Sequence, residues 1–256
     1  MRSNRPAWEE VTIGACRLIR GDAMEVLPAL GESKVGIIIA DPPFSVPVKY
    51  HDTDGDYPRS WGDLAIMEPY FVPLFTAMRK VCRSDGQVYI CCDATTYPVF
   101  YKATMPLWPR SHLLVWYKPT GRRGTGWKHS HELVLHLATA RTVYQEDFRQ
   151  DVIGIMPVRT LERRHPAQKP GELMEFLLEA SLPHLAPVLD THMGSGSTAL
   201  ACIKKGYDFI GIELEPYYFD IACKRIEAAY AQPDLFIPSP LVPPTQLALE
   251  VAHGVD

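Results

Sequence analysis

Val35-Gly36-Ile37-Ile38-Ile39-Ala40 is an unbroken apolar run that ends on Asp41-Pro42-Pro43-Phe44. With no polar alternation, the run reads as a buried strand of a parallel sheet. The carboxylate, two prolines and aromatic ring then make a rigid, acceptor-rich turn at the sheet's carboxyl edge, where open α/β sheets bind ligands.

Such a turn can hold a flat amine. The exocyclic amino group of a nucleobase is a poor nucleophile because its lone pair is delocalised into the ring. Asp41 and the carbonyl of Pro42 could accept its two N–H hydrogens and draw the nitrogen towards a tetrahedral geometry, with Phe44 stacking on an extruded base. Pro43 adds a fixed φ and removes a competing donor. Strand termination alone is the competing account, since Pro243-Pro244 is a second such pair with no chemistry attached.

A second ligand signal follows in Val188 to Leu200, where an apolar strand enters Gly194-Ser195-Gly196 and then a helix, so that backbone can approach a ligand at a helix N-terminus. The next strand, Tyr207 to Ile212, ends in Glu213, 23 residues after Asp190. Nucleotide-binding α/β units place an acid for ribose hydroxyls at about 20 residues. Glu213 also suits the start of a helix before Pro216, where an acid favours the dipole.

Taken in order, Asp41-Pro42-Pro43-Phe44, His165-Pro166-Ala167-Gln168-Lys169-Pro170, Asp190 to Thr198 and Gly211-Ile212-Glu213-Leu214 resemble the motifs of S-adenosylmethionine-dependent DNA amino-methyltransferases. The catalytic motif precedes the cofactor motif, which resembles the circularly permuted β group of adenine-N6 and cytosine-N4 enzymes, and the likeness runs from about Cys16 to Tyr230. It implies a three-layer α/β fold with a mostly parallel seven-stranded sheet of the Rossmann-like methyltransferase type, circularly permuted. Asp41 and Asp190 would end neighbouring central strands, and S-adenosyl-L-methionine would be the cofactor.

By that resemblance Asp41, Pro42, Pro43 and Phe44 are catalytic, and Asp190, His192, Gly194, Ser195, Gly196, Ser197, Thr198, Glu213 and Leu214 line the cofactor pocket. Gln168 and Lys169 close over the cofactor's amino-acid end, with helix capping as the alternative. Asp22 is a pocket-edge residue near the target base, although Asp22 with Glu25 also reads as a capping box. The family has Pro-Phe where this chain has Thr191-His192, so an imidazole stands where a ring is expected beside the methionine moiety. Asp rather than Ser at the first catalytic position favours adenine N6. Cytosine N4, or a non-catalytic DNA-binding subunit of a methyltransferase complex, are the alternatives.

The net charge of −4 hides a polarised chain, because residues 118 to 169 hold ten Lys/Arg against five Asp/Glu. Lys118, Arg122, Arg123 and Lys128 fall in a Gly-rich loop with Trp127, and Arg163 and Arg164 precede the His165 motif. As a cluster they read as phosphate contacts on DNA. The family also implies a homodimer and a cognate restriction endonuclease as partners.

Residues 1–232 read as one methyltransferase domain with a short basic recognition insert at about 118–164, and 233–256 as a Pro-rich tail. No signal core or membrane-length apolar run is present, so the expected address is cytoplasmic. Six cysteines without Cys-x-x-Cys spacing, and His129 and His131 without a third ligand nearby, imply neither disulfides nor a metal. Short strands are expected at 16–20, 87–92, 113–117 and 132–137. Helices are expected at about 67–82, 95–105, 169–181 and 215–230. The polar stretch 49–62 reads as a lid, and 141–164 gives no firm assignment.

Overall fold

A computed structural model of the chain describes residues 8–43, 64–123, 126–144 and 149–231, with only the backbone at 64–68 and 122–123. In chain order its elements are β1 (Glu9–Ile13), β2 (Cys16–Arg20), α1 (Ala23–Leu30), β3 (Val35–Ala40), α2 (Leu64–Val81), β4 (Cys82–Cys92), α3 (Tyr97–Thr104), β5 (Arg110–Arg123), β6 (Lys128–Ala138), β7 (Val152–Gly154), α4 (Gly171–Glu179), β8 (Val188–Asp190), α5 (Ser197–Lys205), β9 (Phe209–Glu213) and α6 (Pro216–Ala231). Phe44, the 49–62 stretch and the 233–256 tail lie outside the described residues.

One sheet runs β1-β2-β9-β8-β3-β4-β6-β5-β7. It has nine strands rather than seven: β1 pairs antiparallel with β2 at one edge, and β7 pairs parallel with β5 at the other. Between them β2, β9, β8, β3 and β4 are parallel to one another, and β6 turns antiparallel.

The apolar run of β3 divides by parity, as a strand covered on both faces must. Ile38 and Ala40 join the side formed by α1, α2 and α3 through Val26, Phe71, Phe75 and Phe100. Ile37 and Ile39 join the side formed by α4, α5 and α6 through Leu173, Leu177, Ala199 and Phe219. All four are at most 2% exposed, and each of the three isoleucines contributes about 1.5–3 kcal/mol by its burial. Gly36 lets this packing close, because a Cβ there would stand 2.1 Å from the carbonyl oxygen of Leu185.

Two segments depart from their sequence reading. The Gly-rich stretch after Lys118 is the outer end of the β5–β6 hairpin rather than a loop, with Arg122 opposite His129 and Arg123 opposite Lys128. The register slips between Tyr117 and Arg122, where Pro119 has no N–H for the ladder and Gly121 takes φ +56°. Within 141–164, β7 forms beside Val115-Trp116-Tyr117, and the Trp116 indole N–H donates to the carbonyl of Ile155 at 2.8 Å. Among the described residues no helix is long and apolar enough to cross a membrane, and no cluster of His, Cys, Asp or Glu could hold a metal ion. All six cysteines are free thiols.

Candidate active site

β3 and β8 pair in parallel with Ile39 opposite Asp190, so the Asp41 turn and the turn after Asp190 open from adjacent strands at the same sheet edge. The segment before α4 closes onto that edge. Lys169 Nζ donates to Asp41 Oδ2 at 2.5 Å, across 128 residues of sequence. Asp41 Oδ1 is buried and has no hydrogen-bond partner among the described residues. The Lys169 ammonium also stands 3.6 Å from Glu132 Oε2, and Glu132 Oε1 accepts from Lys118 Nζ. Lys118 Nζ in turn lies 4.4 Å from the centre of the Trp116 ring.

Asp41, Lys169, Glu132 and Lys118 thus form a row of alternating charge. Burial pushes the Asp41 carboxyl up, and Lys169 pulls it back part of the way. Burial would also raise Glu132, but Lys169 and Lys118 together outweigh it and hold that carboxyl below its ordinary value. For Lys169 burial works against the ammonium, yet Asp41 and Glu132 more than compensate, so it remains charged far above neutrality.

The neighbouring turn is built from its own side chains. Asp190 Oδ1 accepts from the His192 backbone N–H at 3.0 Å and its Oδ2 from the Thr198 hydroxyl at 2.5 Å. Gly194 and Gly196 take φ +51° and +82°, and a Cβ at Gly196 would meet Ala222 Cβ at 3.2 Å. Arg225 latches the turn from α6 by donating to the Ser195 carbonyl and hydroxyl oxygens, and Ser197 is buried at the start of α5. Glu213 reaches across from β9, its two oxygens accepting from the N–H groups of Gly194 and Glu215 at 2.8 Å each. Burial raises both Asp190 and Glu213 to about 7.

This donor set fits a nucleoside-containing cofactor. The left-handed glycines bare the backbone at the α5 N-terminus, each Glu213 oxygen keeps a lone pair for a ligand hydroxyl, and Leu214 stands 40% exposed beside them. His192 is half-buried and neutral, lowered to about 4 by desolvation, with Nδ1 facing the Thr191 hydroxyl at 2.9 Å. His165, likewise lowered to about 4 by burial, packs edge-on to Tyr218 and beside Gly194.

Several expected residues lie elsewhere. Lys169 reaches the Asp41 carboxylate, and Gln168 turns back to accept from the Arg164 N–H at 2.7 Å. Asp22 caps α1 by accepting from the Met24 N–H at 2.8 Å, and it follows β2, beside Glu213 and three strand positions from Asp41. At about 4.8 Å per strand that is roughly 14 Å, so Asp22 belongs with the Glu213 end of the edge, not with Asp41. Lys118 is engaged with Glu132 and Trp116 rather than free for a phosphate. Arg163 folds back on the carbonyls of Val158 and Pro166, whereas Lys128 and Arg164 are exposed. Glu132 was missed in the sequence, its only signal being an acid opening the apolar stretch Leu133-Val134-Leu135. Arg225 gave no signal beyond a polar position in a helix.

The family model of DNA methylases matches residues 35–224. The protein YubD of Escherichia coli K12 is 27% identical over 217 residues, covering 83% of this chain and 90% of its own length. Two solved structures share the fold. That of M1.HpyAVI in complex with S-adenosylmethionine superposes at TM-score 0.64 and 22% identity, covering 82% of this chain and 98% of that one. That of the PvuII cytosine-N4-specific DNA methyltransferase superposes at 0.65 and 15% identity, covering 86% and 93%.

Proposed function

We propose that this chain, which belongs to the DNA methylase family and is an S-adenosylmethionine-dependent DNA amino-methyltransferase, methylates the exocyclic N6 amine of adenine. The supporting observation is the pairing of β3 with β8, which opens the Asp41 turn and the Gly194–Gly196 turn side by side while Asp41 Oδ1 has no hydrogen-bond partner among the described residues. The preference for adenine over cytosine rests on Asp rather than Ser at position 41.

Bound S-adenosylmethionine supplies an electrophilic methyl carbon on a sulfonium. Its pocket is assigned to Asp190, His192, Gly194, Ser195, Gly196, Ser197, Thr198, Glu213 and Leu214. Asp41 Oδ1 and the Pro42 carbonyl accept the two hydrogens of the target amine and turn its lone pair towards the methyl group. With that donor bound, the N–C bond would form as the C–S bond breaks, positive charge would pass from sulfur to nitrogen, and the methylated amine would return to neutrality by giving a proton to solvent water. Asp41 favours that charge shift because it is a fixed negative group beside the nitrogen where positive charge grows.

Lys128 and Arg164 are assigned to phosphate contact, and a second copy of the chain would double the short basic surface at 118–164. Purified protein with isotope-labelled S-adenosylmethionine should place the label on N6-methyladenine in DNA, read by nucleoside mass spectrometry, and Asp41→Ala should abolish it. Label on cytosine N4 would move the assignment to that base, and no label on either amine would end the reading.

A further inference from the structure

The four-charge row beside Asp41 is more elaborate than a carboxylate needs merely to accept an amine. Lys169 is 8% exposed, its Nζ hydrogen-bonds Asp41 Oδ2 and stands 3.6 Å from Glu132 Oε2, an ion-pair distance at which that oxygen, like Asp41 Oδ1, has no hydrogen-bond partner among the described residues, and Glu132 is held from its other oxygen by Lys118. Burying an ion pair costs about as much as its attraction returns, so such a network is a weak source of stability. Its geometric effect is definite. It occupies one Asp41 oxygen and leaves the other buried, without a hydrogen-bond partner among the described residues, at the edge shared with the Asp190 turn.

We propose that Lys169 is a positioning residue for methyl transfer: it fixes the Asp41 carboxylate through Oδ2 and reserves Oδ1 for the target amine, with Glu132 and Lys118 holding the ammonium in place. This rests on the amino-methyltransferase reading above and deepens it. It also moves Lys169 from the cofactor's amino-acid end to the base side of the site.

The charge logic runs the same way. Asp41 faces Lys169 from the segment before α4, Glu132 and Lys118 from the β5–β6 hairpin, Cys91 and Cys92 from β4, and Asp190 from β8. Burial is the largest influence and favours a neutral, protonated Asp41. Lys169 is the principal group opposing it, and Glu132 acts in the same sense as burial. A protonated Asp41 would carry an O–H and lose the negative charge that the reaction uses. Removing the Lys169 charge must therefore raise the pH at which Asp41 ionises, and removing the Glu132 charge must lower it.

The test titrates the Asp41 carboxyl carbon by 13C NMR in cofactor-free protein, the signal being assigned with Asp41→Asn. Lys169→Met should raise the midpoint by about 1–3 pH units, the usual effect of an adjacent opposite charge. Lys169→Arg should keep it near the wild-type value. Glu132→Gln should lower it, and it leaves the Lys169–Asp41 bond intact, which guards against a Lys169→Met variant that fails to fold. In turnover assays Lys169→Met should lower kcat at neutral pH by about 100-fold, as loss of one preorganised electrostatic group does. The acid limb of its pH profile should shift upward, with the Kd for S-adenosylmethionine unchanged.

An unmoved midpoint and kcat in Lys169→Met would overturn the proposal. So would a loss of cofactor affinity with an unchanged midpoint, which would return Lys169 to the cofactor. Because the titration needs no turnover, it decides this proposal even if the wild-type protein methylated no amine, a result that would remove only the functional reading.

Discussion

The cofactor pocket should titrate near neutrality. Burial lifts Glu213 from an ordinary 4.5 to about 7, against the pull of the Glu215 and Gly194 N–H groups. In the cofactor-free fold this carboxyl therefore carries a proton at pH 6. Ribose hydroxyls donating to it would stabilise the carboxylate, so binding should expel the proton, and affinity should grow as pH rises towards 7 and level off above. Each pH unit below the folded value corresponds to about 1.4 kcal/mol, or tenfold in Kd, per coupled carboxyl. Two units below it, one such group weakens binding by about 100-fold. For the fold itself the sign is the opposite. A carboxyl raised on folding contributes stability while both states are protonated, and that contribution is lost as pH rises from the unfolded value through about 7.

Calorimetric titration with S-adenosylmethionine in buffers of different ionisation enthalpy would read both affinity and proton release. Asp190 titrates in the same window and adds its own share to the proton release, a share that a change at Glu213 leaves in place. Glu213→Gln should therefore remove one proton equivalent from the pH dependence. It should also lower the plateau affinity by about 10–100-fold, the range for losing a hydrogen bond to a charged acceptor. A wild-type Kd that is flat from acid to neutral pH, or a Glu213→Gln protein that releases as many protons as wild type, would refute the reasoning.

Three further outcomes are expected. Gly196→Ala forces a side chain into φ +82° with its Cβ 3.2 Å from Ala222, which should cost about 1–3 kcal/mol and lower Tm by roughly 2–4 °C per kcal/mol, read by differential scanning calorimetry. Leu214→Ala removes a side chain already 40% exposed, so Tm should hold while cofactor Kd rises by about tenfold if that side chain covers the base. Lys128→Ala and Arg164→Ala should each reduce the slope of log K for DNA against log salt concentration by about one, whereas Lys118→Ala, whose charge is spent on Glu132, should leave that slope unchanged.

Local chemistry made much of this legible in the sequence. The β3 run could be placed because its all-apolar character suits a buried strand, and the Asp190 turn because its Gly-Ser-Gly is followed by a second strand ending in Glu213, 23 residues after Asp190. What escaped was long-range pairing. Nothing near Lys169 in the sequence says that its ammonium will cross 128 residues to Asp41, and Glu132 is a single acid in a strand until the hairpin sets it beside that lysine. Asp22 was ambiguous because one carboxylate can cap a helix and line a pocket, and only the strand order separates it from Asp41. The hairpin end was misread because Gly121, Gly124 and Gly126 around two arginines look like a loop when the opposite strand is not in view.

Asp190, Glu213, Asp41 and Glu132, all on this edge of the sheet, sit in two electrostatic settings. Asp190 and Glu213 are held by backbone N–H groups and a hydroxyl, with no cation hydrogen-bonded to them among the described residues, and desolvation brings both to about 7. Asp41 and Glu132 are threaded between lysines, which hold Glu132 below its ordinary value and oppose the burial of Asp41. Asp41 stays above its ordinary value, as Asp190 and Glu213 do, so the two settings differ in the charged partner and not in the direction of the Asp41 shift. Carboxyls poised near neutrality can trade a proton for ligand hydroxyls, whereas a carboxylate beside a locked ammonium keeps its charge while a nitrogen becomes positive. The division assigns the donor to the β8–β9 end of the edge and the acceptor to the β3–β6 end, so a single substitution should disturb one without the other. Glu213→Gln should change cofactor affinity and leave the Asp41 titration in place. Lys169→Met should do the reverse, and a variant of either kind that moved both readouts together would show that the two ends act as one coupled site.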